Sequence, residues 1–244
     1  MECMTERRLR GNAMDYSYLD RNYLEIDERI SNAIQRANRN DDVDLLVAIK
    51  SATIDEVEYL VSKYGIKKVG ENRVQQLLER YEKLNEMGVE IHFIGALQTN
   101  KVKYIIDKVS MIHSVDRIDL VREIDKQAKK KGIVMDVLIE INSGREESKS
   151  GLDPSKVEDF CREIAYFENV KVRGFMTMGA KSEKNSDYLK YFCETYQLVL
   201  DILNKKVHNI DMGILSMGMS DSFEPAIEAG STMVRIGRKM FIKK

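Results

Sequence analysis

Short apolar segments recur at regular intervals along this chain of 244 residues, and polar residues bound each of them. Apolar segments of this length are typical of strands that are buried on both faces. No other feature limits the possible folds as strongly. We predict eight strands: Leu45–Ile49, Ile66–Gly70, Val89–Ile94, Ser110–Ser114, Val134–Ile141, Val170–Met176, Ile214–Met217 and Met233–Ile236.

Stretches with helical spacing separate the predicted strands. The first begins at Thr53-Ile-Asp-Glu56, a spacing typical of a capping box. The others are Val74–Met87, Asn100–Asp107, Arg117–Lys131, Ser155–Phe167, Asn185–Lys205 and Pro225–Ala229. Strands that alternate with helices form parallel sheets, and eight such units at this length favour a single closed (β/α)8 TIM barrel. An open Rossmann-like sheet is the alternative, but no G-x-G-x-x-G motif follows the first strand.

An additional helix is predicted before the first strand. Apolar residues recur at helical spacing over Leu24–Asn38. Residues 1–16 carry positive charge without an apolar segment, so we expect a flexible tail and no secretory signal. Residues 17–244 contain no low-complexity linker, and we expect them to form one domain. No apolar run approaches the roughly 18 residues of a membrane span.

The charge balance argues against several classes of partner. Lys and Arg together number 39, Asp and Glu number 40, and the net charge of −1 offers no basis for binding nucleic acid or an anionic membrane. The three cysteines form no C-x-x-C motif, and the three histidines have no metal-ligand spacing. We therefore expect a cytoplasmic protein without a metal, and a monomer because no exposed apolar seam is evident.

Functional residues of a (β/α)8 barrel follow the carboxyl ends of its strands. Polar residues and glycines gather at those positions in this chain, on what would be one rim of the barrel. They are Lys50, Gly70-Glu71-Asn72, Gly95, His113–Asp116, Asn142, Met176–Met178, Ser216–Ser220 and Arg235-Ile236-Gly237.

Lys50 directly follows the first predicted strand. A single lysine at such a position is most often an ordinary surface residue. If it instead lay at the foot of an apolar pocket, desolvation would lower the pKa of its ammonium group and make the amine nucleophilic toward an aldehyde. Lys50 by itself does not decide between these interpretations.

Two clusters of small residues flank the last two strands. Gly218–Ser222 precedes a short helix, and Gly230–Gly237 surrounds the eighth strand. Each cluster alone is compatible with simple turns and caps. The loops after strands seven and eight are, however, the usual phosphate site of this fold, because backbone N–H groups there point toward an anion. Together the clusters predict phosphate binding.

Two charged or polar side chains fall inside predicted strands. Arg235 lies between apolar residues, so it faces the barrel mouth or forms an ion pair with Glu71 or Asp211. His92 alternates with apolar residues, which favours a hydrogen-bonded core histidine over a general base.

Nine blocks of residues occur in a characteristic order along the chain. They are Val47–Lys50, Gly70–Asn72, His92–Gly95, Leu97–Lys101, His113–Arg117, Ser148–Gly151, Arg173–Met176, Leu215–Ser220 and Gly230–Gly237. On these blocks, from about Leu24 to Ile242, the sequence resembles the pyridoxal 5′-phosphate (PLP) homeostasis protein family. These YggS/PROSC-like proteins are single-domain relatives of the alanine racemase N-terminal barrel, and several blocks together are more specific than any single motif.

The resemblance implies a role for each matching residue. Lys50 corresponds to the lysine that forms an imine (Schiff base) with PLP, and Arg235 to the arginine that faces the pyridine nitrogen. Ser220 and Gly237, with the backbone at Arg238, correspond to the phosphate contacts. No catalytic residue is implied.

Other positions are implied less directly. Asn72 and Met176 correspond to positions near the cofactor ring, and Lys149 lies in a loop with a suggested regulatory role. The chain departs from the family's usual residues at Ile49, Ala96 and Arg73. These departures affect ring contacts and loop geometry, and leave the lysine and the phosphate residues in place.

The function implied is that of a PLP carrier that supplies PLP-dependent apoenzymes. An arginine against the pyridine nitrogen keeps that nitrogen unprotonated, which weakens the electron sink that PLP enzymes use. Alanine racemase compensates with catalytic tyrosines, one of them from an added C-terminal domain, and we expect no such domain after Lys244. The alternatives are a low-activity PLP-dependent amino-acid racemase and a barrel that binds another phosphorylated metabolite without an imine.

Overall fold

Eight parallel strands close into a barrel in the computed structural model, which describes residues 15–144, 150–178 and 185–243. Each strand pairs with the next along the chain, and the eighth pairs with the first. The predicted (β/α)8 barrel is therefore confirmed, and the open-sheet alternative is wrong. The strands are β1 (Asp44–Ala48), β2 (Lys68–Glu71), β3 (Glu90–Phe93), β4 (Met111–Val115), β5 (Met135–Ile141), β6 (Val170–Thr177), β7 (Ile210–Ser216) and β8 (Met233–Ile236).

Helices surround the barrel on the outside. In the described residues they are α1 (Ser17–Arg36), α2 (Ile54–Tyr64), α3 (Val74–Glu86), α4 (Val102–Ile105), α5 (Ile118–Lys131), α6 (Val157–Ile164), α7 (Asn185–Lys205), α8 (Phe223–Glu228) and α9 (Arg238–Phe241). Short 3-10 turns at Thr99–Lys101 and Pro154–Lys156 precede α4 and α6. None of the helices so described is long and apolar enough to cross a lipid bilayer.

The predicted capping box at the start of α2 is present. Thr53 Oγ1 accepts from the backbone N–H of Glu56 at 3.2 Å, and the Glu56 carboxylate accepts from the N–H of Thr53 at 2.6 Å. Two donors that an isolated helix would leave without a partner are thereby satisfied. This turn directly follows the Lys50 loop, so the cap fixes where that loop ends.

The helix before the barrel is longer than its apolar spacing predicted. It begins at Ser17, and Leu19 is fully buried. Asn22 Nδ2 donates to the backbone oxygens of Met240 and Ile242, both at 2.9 Å, so α1 is tied to the chain's last described turn. Of the predicted tail, residues 1–14 lie outside the described part of the chain.

Strand β7 begins four residues earlier than predicted, at Ile210 instead of Ile214. Its first half contains Asp211 and Gly213, which break the apolar pattern. Asp211 is accommodated because Arg173 on the neighbouring β6 pairs with it at 3.0 Å. A strand that contains a charged residue paired with the neighbouring strand cannot be recognised from apolar runs alone.

Side chains alternate between two environments along each strand. On β1, Val47 and Ile49 belong to the large core between strands and helices, whereas Leu46 and Ala48 face the barrel interior. Met111, Leu138 and Met176 form a small apolar cluster inside the barrel. This period-two alternation decides which residues reach the barrel mouth.

The outer face of α7 carries an apolar stripe. Leu189, Tyr196 and Leu203 recur every seven residues and are 37%, 41% and 48% exposed. The expectation that the chain has no exposed apolar seam is therefore wrong. A seven-residue repeat was hidden in the sequence because Phe192 and Val199, which face the core, lie between these residues.

Gly174 allows the backbones of β6 and β7 to approach each other. Its φ is 147°, a conformation that L-residues with side chains rarely adopt, and a Cβ there would lie 1.7 Å from the carbonyl oxygen of Ile214. The register of β6 against both neighbours shifts at this point. The barrel therefore requires glycine here.

Replacing Gly174 by alanine should lower the free energy of unfolding by about 3 kcal/mol or more, because the added carbon overlaps backbone that cannot move away cheaply. Urea denaturation measures the change. The matched control is Gly213→Ala on the paired strand, where the nearest atom would lie 3.4 Å away and a loss below about 1 kcal/mol is expected. Equal losses in both variants would contradict this interpretation.

Candidate functional site

The carboxyl end of β1 places Lys50 at the barrel mouth. The N–H of Ile49 donates to the oxygen of Gly70 at 3.0 Å, which extends the pairing with β2 by one residue. Ile49 faces the helices, so the next residue continues the inward series of Leu46 and Ala48. Lys50 is exposed, and the buried apolar pocket considered from the sequence is not found around it.

Arg80, on α3, fixes the loop that carries Lys50. Its guanidinium donates to the backbone oxygens of Ile49 and Ala52, both at 2.8 Å, and to the Glu71 carboxylate at 2.9 Å. Burial raises the pKa of Glu71, and the adjacent Arg80 opposes that rise. Sequence reasoning missed Arg80, because nothing in the helical pattern shows that a charged residue reaches back to two strand ends.

The loop after β7 and the turn after β8 meet on the same side of the mouth. Ser220 is buried, and its Oγ accepts from the backbone N–H of Lys239 at 3.2 Å. Gly218 has a φ of 87°, and a Cβ there would lie 2.7 Å from that of Ala226. The N–H of Arg235 donates to the oxygen of Gly218 at 3.1 Å, so the two predicted clusters of small residues are brought together.

Gly237 links this turn to the lysine strand. A Cβ on Gly237 would lie 2.7 Å from the oxygen of Ala48, two residues before Lys50. The side chain of Arg238 is exposed and pairs with Asp221. Its guanidinium therefore points outward, and what Arg238 offers a ligand at the mouth is its backbone N–H in the first turn of α9.

Arg235 is buried in the barrel interior, where it contacts neither carboxylate considered from the sequence. Its Nη1 donates to the oxygen and the Oγ of Ser216, both at 2.7 Å, and its Nη2 donates to the oxygen of Thr177 at 2.9 Å. Glu71 pairs with Arg80, and Asp211 with Arg173. Of the two interpretations drawn from the sequence, the ion pair is wrong, because β8 turns Arg235 into the barrel interior.

Burial lowers the pKa of Arg235 to about 10, against the opposing effect of the Glu140 carboxylate. The side chain therefore stays charged at neutral pH. Its hydrogen bonds within the described part of the chain use three of the five N–H donors of a guanidinium. The other two N–H donors make no hydrogen bond among the described residues.

His92 is a buried core histidine, as predicted. Its Nδ1 lies 2.8 Å from His113 Nε2, and His113 Nδ1 lies 3.4 Å from Ser216 Oγ. Burial lowers the pKa of His92 to about 4, and burial with the neighbouring His92 and Arg235 lowers that of His113 further below its ordinary value. Both rings are therefore neutral at physiological pH.

A buried carboxyl group, that of Glu140, lies near the mouth on β5. Glu140 is buried and accepts from Ser150 Oγ at 2.7 Å. Burial raises its pKa, and the nearby Asp116 adds to the rise. Asp116 itself accepts from the backbone N–H of Gly151 at 3.4 Å and from Arg117, and makes no cap at α5.

Asn72 lines an open cavity of about 590 Å3 between α3 and the turn after β3. Its Oδ1 is buried and, among the described residues, accepts no hydrogen bond. Met176 lies deeper, in the apolar cluster inside the barrel. Lys149, for which a regulatory role was considered, lies outside the described residues.

Sequence reasoning named Ser216, Thr177 and His113 only as parts of strand ends. Their role as partners of Arg235 or of each other depends on the period-two alternation, which turns Ser216 and His113 into the barrel interior. That alternation is present in the sequence. The bulges on β4 and β6 interrupt it, however, so counting residues along these strands does not show which side chains point inward.

Comparison with known proteins shows similarity over nearly the whole chain. The family model for the alanine racemase N-terminal domain matches residues 22–243. A pyridoxal phosphate homeostasis protein of Aquifex aeolicus is 44% identical over 214 residues, which make up 88% of this chain and 93% of the relative.

Solved structures have the same barrel. An unknown protein from Bifidobacterium adolescentis has a TM-score of 0.87 at 31% identity, and the match covers 94% of this chain and 98% of that one. PipY of Synechococcus elongatus, solved with PLP bound, has a TM-score of 0.77 at 23% identity, over 88% of this chain and 99% of its own.

The buried histidines predict a loss of stability in acid. Their pKa values are lowered in the folded state, so below about pH 6.5 the unfolded chain binds protons that the folded chain does not. This contribution falls as the pH decreases from about 6.5 toward 4. For His92 the loss between pH 7 and pH 5 is about 2 kcal/mol.

The variant His92→Gln should lack that part of the loss, as measured by urea denaturation at both pH values. The control is His208→Gln, since His208 is exposed, in the turn that precedes β7. The two variants should differ in the pH dependence of the free energy of unfolding, whatever their stability at pH 7. The same pH dependence in both would contradict the assignment.

Proposed function

Because this chain belongs to the pyridoxal phosphate homeostasis protein family, within the alanine racemase N-terminal domain fold, we propose that it binds PLP as an imine on Lys50 and supplies it to apoenzymes. The observation that carries the proposal is the position of an exposed lysine at the end of β1, beside Gly237 at the end of the adjacent β8.

The phosphate fits the turn that joins Ser220 to the start of α9. Gly237 approaches the backbone of β1 so closely that a side chain there would fill the space. Ser220 supplies a hydroxyl, and the first turn of α9 supplies backbone N–H groups, of which that of Lys239 already donates to Ser220. These groups suit an anion without requiring a buried cation.

The pyridine ring fits between Lys50 and Arg235. The two N–H donors that Arg235 has left suit an unprotonated ring nitrogen, which accepts a hydrogen bond. PLP supplies an aldehyde for imine formation and an electron sink whose strength depends on protonation of that nitrogen. A guanidinium that stays charged at neutral pH does not give up its proton, so the site favours holding the cofactor over catalysis.

Exposure of Lys50 suits a reversible tether. Lys50 would hold PLP through an imine between its Nζ and the aldehyde carbon, with the aldehyde oxygen released as water. A lysine of an apoenzyme would take over that carbon and release Lys50 as a free amine. A buried lysine would be inaccessible to that second amine.

We further propose that the protein works as a monomer. All groups assigned to the cofactor come from one chain, so the site needs no second subunit. The apolar stripe of Leu189, Tyr196 and Leu203 is the surface that association between copies would bury.

The second candidate function is that of a low-activity amino-acid racemase. The observation that favours it is Glu140, a buried carboxyl group at the mouth with a raised pKa. A raised pKa favours the protonated form of the carboxyl group, which can act as a general acid.

Lys50→Ala should abolish the visible absorbance of the PLP-loaded protein. Lys50→Arg is the matched control, because it keeps the positive charge but cannot form an imine, and it should lose the absorbance as well. Borohydride reduction of the unmodified protein, followed by peptide mapping, should find the pyridoxyl group on Lys50. Absorbance that persists in both variants, or a pyridoxyl group on another lysine, would contradict the proposal.

The PLP-loaded protein should restore the activity of a PLP-dependent apoenzyme in the presence of an aldehyde trap that captures free PLP. Turnover of L-amino acids to their D-forms, followed by chiral chromatography, should stay at least about a hundredfold below one per second, where ordinary enzymes begin. Racemisation near that rate, lost in Glu140→Gln, would favour the racemase. Loss of transfer in the presence of the trap would exclude direct delivery.

A further inference from the structure

A row of polar side chains, all buried except the one at its start, runs through the barrel from its amino-terminal end to the mouth. It begins at Glu90, the first residue of β3, whose carboxylate lies 3.6 Å from His92 Nε2. It continues from His92 Nδ1 to His113 Nε2 at 2.8 Å, and from His113 Nδ1 to Ser216 Oγ at 3.4 Å. It ends where Arg235 Nη1 donates to Ser216 Oγ at 2.7 Å.

Arg235 sets the direction of this row from the mouth. A guanidinium only donates, so Ser216 Oγ must accept from it. The hydroxyl hydrogen of Ser216 can then point to His113 Nδ1. His113, which is neutral, carries its own hydrogen on Nε2 in that case and donates to His92 Nδ1. The hydrogen of the His92 ring is thereby placed on Nε2.

Glu90 favours the same direction from the opposite end. With its hydrogen on Nε2, His92 directs an N–H toward the carboxylate, although 3.6 Å is longer than a hydrogen bond. In the reverse direction the bare Nε2 lone pair would face the negative charge, which is repulsive. Both ends of the row therefore favour one arrangement, in which each group donates away from Arg235.

Burial and the charges around the two histidine rings keep both rings neutral. Glu90, Lys68 and Asp44 surround His92 at the amino-terminal end, and their effects on its pKa partly cancel, so burial dominates. His113 faces His92 on one side and the positive Arg235 on the other. Protonation of either ring would place a second positive charge inside the barrel, near Arg235.

We propose that His92, His113 and Ser216 form a one-directional hydrogen-bond relay that positions the Arg235 guanidinium toward the cofactor ring. The two histidines act through Ser216 and are positioning residues. The relay holds Nη1 against β7, so the donors that Arg235 has left face the mouth. The consequence for the cofactor depends on the proposed PLP function, whereas the relay itself does not.

The direct test is NMR of the cofactor-free protein with 15N-labelled histidine. His92 and His113 should both appear as neutral rings with the hydrogen on Nε2 between pH 5.5 and pH 8. His208, which is exposed, provides the reference signal, and His208→Gln assigns it. A hydrogen on Nδ1 of either buried ring, or a charged ring above pH 5.5, would overturn the relay. This measurement needs no variant of the relay and no PLP.

A second measurement tests the link to the site. Ser216→Ala should weaken PLP binding about tenfold, since it removes a hydrogen bond to a charged group, and should allow the His113 hydrogen to move to Nδ1. Inhibition of PLP binding by inorganic phosphate should not change, because the turn at Ser220 is untouched. Ser216→Thr keeps the hydroxyl and should restore both the affinity and the Nε2 form.

The possible failures are distinguishable. If Ser216→Ala leaves the PLP affinity and the His113 spectrum unchanged, the relay does not position Arg235. If the wild-type protein binds no PLP while both rings carry Nε2 hydrogens, the proposed function fails and the relay stands. A Ser216→Ala protein whose affinity falls while its histidine spectrum is unchanged would also contradict the relay.

Discussion

A buried guanidinium at the centre of the barrel is the interaction around which the interior is organised. Arg235 contacts two backbone oxygens and one hydroxyl, and its hydrogen bonds are made to β6 and β7. Neutral oxygens offset the loss of hydration only in part, which is why burial lowers the pKa of this arginine. The neighbouring histidines are kept neutral for the same reason, since a second charge there would raise the energy of the fold.

Closure of the barrel brings the other functional elements to this centre. β8 pairs with both β7 and β1, so residues after β8 lie between the Ser220 loop and the Lys50 loop. The end of β8 comes closest to β1 at Gly237, where only a hydrogen atom fits between the Cα and the oxygen of Ala48. Arg80 then holds the Lys50 loop from the helical side. An open sheet with the same sequence order would leave the first and last strands apart.

Lys50 illustrates how far sequence reasoning extends. Its position after an apolar strand, on the rim of the barrel, could be predicted from the sequence. The direction in which it points was not predictable, because residues 45–49 are all apolar and show no alternation. Its exposure could not be predicted either, since that depends on how far loops from other strands extend over the barrel. Of the two interpretations of Arg235, the inward one agrees with its burial in the barrel, and the ion pair with Glu71 or Asp211 is wrong. Glu71 pairs with Arg80 and Asp211 pairs with Arg173, and no pattern in the sequence predicts either pair.

The sequence by itself determined the number and order of the strands, the parallel barrel and the rim on which the polar residues gather, because these follow from local periodicity and the handedness of strand–helix connections. The tertiary structure decided the partners of Arg235, the pairing of His92 with His113 and the reach of Arg80. Those contacts join residues that are far apart in the chain. Bulges in β4 and β6 also change which residues of these strands point into the barrel. Hydrogen-bond partners depend on three-dimensional distance, which a pattern of residue types along one strand does not contain.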